Sequence, residues 1–163
     1  MRYTVVLGLL RAQQWYKNAV VFIAVLFSGR AAQTSDWALS IAAFVLLCLL
    51  SSGYYIMNDI VDRHADRKDG EKRRRPLAGG YVEPFLAFLF AATLLIVSVL
   101  AAALFDVVFG LLFLLIAVNS ILYTFAFRRD AIGGMISIAL NFVFKALDRK
   151  STRLNSSHQI ISY

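Results

Sequence analysis

Apolar and polar positions along this chain do not alternate; they come in blocks. Long apolar runs, close to the roughly 20 residues that carry a helix across a bilayer's hydrocarbon core, are separated by short polar connections. The first extends from near Tyr16 to Ser28 and is short for a span, and the second covers Trp37 to Met57. The third starts after Pro84, a residue suited to the first turn of a helix, and continues to about Phe105. Val107 to Phe127 makes a fourth, and "AIGGMISIALNFVFKAL", Ala131 to Leu147, begins a fifth. Strands of roughly ten residues with alternating polarity do not occur, and every backbone polar group in lipid needs a partner, so helices are predicted. The expected fold class is all-α: a polytopic transmembrane helical bundle with about four complete spans and part of a fifth.

The last stretch, "DRKSTRLNSSHQIISY" from Asp148 to Tyr163, breaks the block pattern with a polar string that has no periodicity. By composition it reads as a disordered tail. "DRKSTRLNSSH" also resembles the translation of a common sequencing-library adapter. On that reading residues 148–163 are foreign, the natural frame continues beyond Leu147, and Ser151, Ser156, Ser157 and His158 carry no chemistry.

Composition agrees with the block pattern. A chain that is 60% hydrophobic and 17% charged is too apolar for an ordinary soluble domain. Its net charge of +7 does not point to nucleic acid, because the cations lie in connections and form no basic face with interleaved aromatics. Cys48 is the single cysteine and lies inside an apolar run, so it can form no intrachain disulfide. The N-terminus lacks the small-residue cleavage site of a removable signal.

The cations do fix a topology. Arg11 and Lys17 precede the first run, Arg30 alone follows it, seven Lys and Arg residues separate the second and third, and Arg128 and Arg129 follow the fourth. By the positive-inside rule the N-terminus and the large charged connection are cytoplasmic. Trp15, Tyr16 and Trp37 stand near run ends, where an aromatic belt would place them. No internal repeat is visible.

The chemistry concentrates in that connection, "NDIVDRHADRKDGEKRRRP", Asn58 to Pro76. If the second run continues helically, Asp59, Asp62 and Asp66 at i, i+3 and i+7 share a face, with the Asn58 amide at its edge. Like charges so close repel and call for a cation. Hard oxygen ligands suit Mg2+, which takes one or two carboxylates, keeps water and completes its shell with substrate phosphates. Arg67, Lys68, Lys72, Arg73, Arg74 and Arg75 follow, and guanidinium forks suit phosphate oxygens. The bland reading is a solvated loop whose cations set topology and whose ion pairs contribute little.

"NDIVDRHADR" with "KRRRP" resembles the first aspartate-rich motif of the UbiA-type intramembrane prenyltransferases, NDxxDxxxDR with a nearby KxxRP. Asn58, Asp59, Asp62, Asp66 and Arg67 match the first part, and Lys72, Arg75 and Pro76 the second. "LRAQQWYKNAVVFIAVLFSG", Leu10 to Gly29, resembles the LRPxQWxKNxxVFxPLxF opening of the decaprenyl-phosphate phosphoribosyltransferase group, with Ala12 where a proline is usual. "NFVFKAL" is similar to that group's fifth-helix segment and carries Lys145. The resemblance covers nearly all of residues 1–147, which read as the N-terminal part of a UbiA-type transferase domain.

That resemblance implies a larger helical bundle holding Mg2+ and a diphosphate substrate between paired aspartate-rich motifs, of which only the first is present here. It implies Asp59 and Asp62 as catalytic carboxylates and Asn58, Asp59, Asp62 and Asp66 as the metal set. Lys17, Asn18, Arg67, Lys72, Arg75 and Lys145 become the substrate contacts. The implied reaction moves 5-phosphoribosyl from phosphoribosyl diphosphate to a polyprenyl phosphate in a bacterial cell membrane, for cell-wall arabinose donors. The partners are thus a polyprenyl lipid, a diphosphate-bearing substrate and membrane lipid. Aromatic prenyl transfer from polyprenyl diphosphate would use a similar metal motif. An ion-coupled transporter is a reading of another class, but transporters place such groups near the midplane and show repeats. A fragment lacking the rest of its bundle is expected to be inactive.

His64, at a variable motif position, reads as a surface residue, and Asn119 and Tyr123 as interhelical hydrogen-bonding groups. Lys145 within an apolar run needs a cavity or a partner, or snorkels from a helix end.

Overall fold

A computed structural model describes residues 3–26 and 34–127, all of it helices and their connections. Helix α1 covers Tyr3–Leu10, a 3-10 segment covers Ala12–Val21, and α2 covers Phe22–Leu26. Helices α3 (Thr34–Asp66), α4 (Pro84–Phe105) and α5 (Val107–Leu122) form the body, and a π-helical turn, Tyr123–Phe127, continues α5. Among the described residues three helices are long and apolar enough to cross a membrane: α3, α4 and the Val107–Phe125 run. The chain is therefore an all-α polytopic membrane protein. The fifth run, Lys145 and the polar tail lie outside the described residues.

The first run differs from its expected form. Instead of one helix from near Tyr16, the chain leaves α1 at Arg11, winds through the 3-10 segment and resumes α-helix only at Phe22. The reason is polar: Gln13, Gln14, Lys17 and Asn18 interrupt the apolar sequence, and the segment is tied sideways to α3. The Trp15 indole donates to Ser52 Oγ at 3.1 Å, and the Asn18 amide donates to Ser51 Oγ at 3.0 Å. Ser52 in turn donates to the Leu10 carbonyl at 2.8 Å. Trp15 is thus an internal strut, whereas Tyr16 is exposed and Trp37 stacks on Phe22.

Helix α3 is the longest element, 33 residues or about 50 Å at 1.5 Å per residue, against a hydrocarbon core of about 30 Å. It cannot be contained by the bilayer, and its charged end, Asn58 to Asp66, is the part that projects. Gly53 lets α4 approach α3 closely: a Cβ there would sit 2.8 Å from Leu95 Cγ and 3.1 Å from the Ala91 carbonyl oxygen. Small residues at such crossings are how helices pack in lipid.

Asp106 alone separates α4 from α5. Its extended backbone ends α4, and its Oδ1 accepts from Val108 N at 2.9 Å and Phe109 N at 3.1 Å, capping α5. At this tight hairpin Gly110 fits under Ala103, where a Cβ would meet its Cβ at 2.5 Å. Leu47, Leu50, Leu95, Phe113 and Ile116 form one core among the three helices. Leu9, Ile56, Leu77, Val82 and Ala87 form a second beneath the charged end. Phe85, Leu100 and Leu104 face outward, as lipid-contacting residues do.

Candidate functional site at the charged end of α3

A cavity of about 750 Å³ opens between α3, the 3-10 segment, the start of the π-helical turn and the connection after α3. Leu47, Leu50 and Ile116 make its apolar floor, and Tyr54, Tyr55 and Tyr123 its middle. Towards the mouth, Asn58, Asp62 and Asp66 stand on the α3 wall, facing a space also lined by Arg11, Lys17, Lys72 and Arg75. A greasy floor under a polar, mainly cationic mouth suits an amphiphile with an anionic head.

Helix α3 runs unbroken to Asp66, as the acid spacing required. Asn58 accepts a hydrogen bond from the Thr124 hydroxyl at 2.6 Å, which orients its amide oxygen and leaves that oxygen a second lone pair. Beyond Asp66 the connection folds back tightly. Asp69 Oδ1 accepts from the backbone N–H groups of Glu71 and Lys72, both at 3.0 Å, starting the 3-10 turn Lys72–Arg74. These backbone donors, first that of Lys72, hold the Asp69 carboxyl below the usual carboxylate range. The turn delivers Arg75 back to the acids. Its Nη1 donates to Asp66 Oδ2 at 2.7 Å and to Asp59 Oδ1 at 3.2 Å.

Asp59 shares a face with Asp66, the two being bridged by Arg75 Nη1, but it does not line the cavity. It is 2% exposed and holds Arg11 as well as Arg75. Arg11 Nε donates to Asp59 Oδ2 at 3.3 Å, and a second N–H of the same guanidinium donates to Oδ1. Asp62 and Asp66, with Asn58, reach the cavity; Asp59 supports the cations behind them. Among the described residues no three His, Cys, Asp or Glu side chains converge into a ready-made metal cage. The donor set fits an ion that takes one or two carboxylates and an amide oxygen and leaves its other positions to water and phosphate, the habit of Mg2+.

The expected substrate contacts divide. Lys17, Asn18, Lys72 and Arg75 all line the cavity, Asn18 being buried and tied to Ser51. Arg67 does not point there: its Nε donates to the Ala78 carbonyl at 3.0 Å, stapling the connection. His64 is exposed and accepts from Arg63 Nε at 3.2 Å, in keeping with a surface role. Lys145 lies outside the described residues.

Arg11, Tyr54 and Tyr55 are site residues that the sequence did not single out, and Tyr123, read there as an interhelical hydrogen-bonding group, lines the cavity. Arg11 was legible as a topology cation and as the arginine of the LRPxQW-like opening, with no role attached. Its other signal, a non-glycine residue at φ 49° and ψ 44°, exists only in three dimensions.

Residues 19–147 match the UbiA prenyltransferase family. The decaprenyl-phosphate phosphoribosyltransferase of Mycolicibacterium smegmatis is 29% identical over 141 residues, covering 84% of this chain and 44% of the relative. The protein of the same name from Corynebacterium glutamicum is 37% identical over 92 residues, covering 55% and 28%. Nodulation protein NoeC of Azorhizobium caulinodans is 41% identical over 68 residues, covering 42% and 22%. The chain spans less than half the length of these curated relatives. With the aspartate-rich end of α3 inside the matched region, the chain belongs to the UbiA prenyltransferase family.

Proposed function

We propose that this chain is the N-terminal part of an intramembrane transferase that moves 5-phosphoribosyl from phosphoribosyl diphosphate to a polyprenyl phosphate. The observation that carries the reading is one cavity lined by Arg11, Lys17, Lys72 and Arg75 together with Asn58, Asp62 and Asp66. The names of the mycolicibacterial and corynebacterial relatives, decaprenyl-phosphate phosphoribosyltransferase, support the same transferred group and a polyprenyl phosphate acceptor.

In this reading Asn58, Asp62 and Asp66 hold Mg2+, which when bound neutralises charge on the departing diphosphate. Lys17, Lys72 and Arg75 bind and orient phosphate oxygens, and the apolar floor takes the first isoprenoid units. An acceptor phosphate oxygen forms the new bond to the ribose anomeric carbon as the bond from that carbon to diphosphate breaks. The attacking oxygen is already anionic, so no side chain has to remove a proton, consistent with His64 standing outside the cavity. The product, polyprenylphosphoryl 5-phosphoribose, would feed arabinose donors of a bacterial cell wall. On this reading the N-terminus and the connection after α3 face the cytoplasm, where the phosphorylated sugar is available, an orientation that the cation distribution supports. Residues 148–163 have no part in this function.

Aromatic prenyl transfer from polyprenyl diphosphate is the second reading, favoured by the metal motif alone. Membranes holding the full-length protein separate the two. Labelled phosphoribosyl diphosphate with polyprenyl phosphate should yield a labelled phosphoribosyl lipid; product only from polyprenyl diphosphate and an aromatic acid would reverse the assignment.

A further inference from the structure

We propose that Arg11 is a phosphate-binding residue of this cavity and that Asp59 is its positioning residue rather than a metal ligand, an inference that rests on the diphosphate-transferase reading above. Three independent features converge on Arg11. Its backbone sits in the left-handed region at φ 49°, a conformation that non-glycine residues rarely take and that gathers at binding sites. That reversal ends α1 and brings the side chain back onto α3, where the guanidinium grips Asp59 with two N–H groups and lies 5.2 Å over the Tyr55 ring. The same side chain lines the cavity mouth.

A carboxylate at one edge and an aromatic face beneath fix the guanidinium plane, and its donors not spent on Asp59 remain for a second acceptor. Asp59 also accepts from Arg75, so one buried carboxylate holds two guanidinium groups side by side against their mutual repulsion. Two forks held together in this way match the adjacent oxygens of a diphosphate. Asp59 reaches the chemistry only through these two side chains.

The test is equilibrium binding of labelled pyrophosphate to the purified full-length protein, once with magnesium and once with a chelator, alongside Mn2+ affinity read by electron paramagnetic resonance. Arg11→Gly suits the left-handed backbone, so its effect reports the lost guanidinium. It should weaken pyrophosphate binding about tenfold or more in both conditions, the usual effect of losing hydrogen bonds to a charged group. Its Mn2+ affinity should stay within about twofold, and added guanidinium should restore part of the binding. Asp59→Asn should weaken pyrophosphate in both conditions and likewise leave Mn2+ affinity alone. Should Arg11→Gly fail to fold, Arg11→Lys decides, since it keeps the charge without the fork and should still bind more weakly than wild type. Wild-type pyrophosphate affinity in a folded Arg11 variant would overturn the role of Arg11. Loss of Mn2+ affinity in Asp59→Asn as large as in Asp62→Asn would make Asp59 a ligand and overturn its positioning role. No pyrophosphate binding by the wild type would overturn the transferase reading, and this inference with it.

Discussion

Thr124 donates its hydroxyl to Asn58 across 2.6 Å, so a residue in the π-helical turn after α5 orients the first polar group of the α3 acid wall. The wall is therefore set by two helices. Thr124→Val removes the donor at nearly constant volume. In the full-length protein it should lower magnesium affinity about tenfold, the usual effect of losing a partner that orients a ligand, while the fold persists. Magnesium titration of transfer activity and thermal unfolding check the two halves.

Asp62→Ala in the full-length protein should lower transfer by at least about 100-fold, because the group that organises charge at the leaving diphosphate is lost. Membrane insertion should be unchanged, as Asp62 belongs to the projecting end of α3. Product formation and carbonate extraction of membranes measure these separately; near-normal turnover would remove Asp62 from the site.

Gly53→Val should destabilise the α3–α4 crossing by about 1–3 kcal/mol, the range for overpacking a tight interface. The added Cβ alone would sit 3.1 Å from the Ala91 carbonyl oxygen, which belongs to a helix backbone and cannot turn aside. Detergent-solubilised protein followed by fluorescence-detected size exclusion after heating reads the shift.

Asp69 supplies a pH dependence with a defined sign. Its folded carboxyl is held below its ordinary value by the Lys72 and Glu71 backbone donors. Its contribution is therefore fully present above the unfolded carboxylate range, near pH 4, and is lost as pH falls through the lower folded value. Between these limits the turn carrying Lys72 and Arg75 should loosen, and the protection of the Glu71 and Lys72 amides relative to their intrinsic exchange rates should fall. Asp69→Asn should show lower protection at neutral pH, with no further loss of protection on acidification.

Genomic DNA read across the Leu147 codon should diverge from the present sequence after that codon and continue in frame through further apolar runs to a second acidic motif. A genomic frame encoding Asp148 to Tyr163 and then stopping would overturn the adapter reading.

Much of the protein was legible from the order of its residues. Apolar blocks longer than a buried soluble helix needs could satisfy their backbone in lipid only as helices, so α3, α4 and α5 were predictable. The acid spacing after Met57 was legible for the same reason, since α3 simply continues at 3.6 residues per turn to Asp66. Such inferences succeed where interactions are local.

They fail where partners are distant in the chain. Periodicity put Asp59 on one face with Asp66, and the Arg75 they share agrees, but it could not show that Arg11, 48 positions away, and Arg75, 16 positions away, hold it. The polar residues from Gln13 to Asn18 looked like the edge of a span until Ser51 and Ser52 on α3 tied two of their neighbourhood's side chains, Trp15 and Asn18, sideways. Arg67 sat within the motif, yet the Ala78 carbonyl drew it away from the cavity. The sequence by itself determined the membrane helices and the chemical types gathered at one end of α3, because hydrophobic length and helical period depend on neighbours along the chain. Only the tertiary structure decided which charges face the cavity and which hold one another, because an ion pair forms between groups that folding brings within a few ångströms, whatever their separation in sequence.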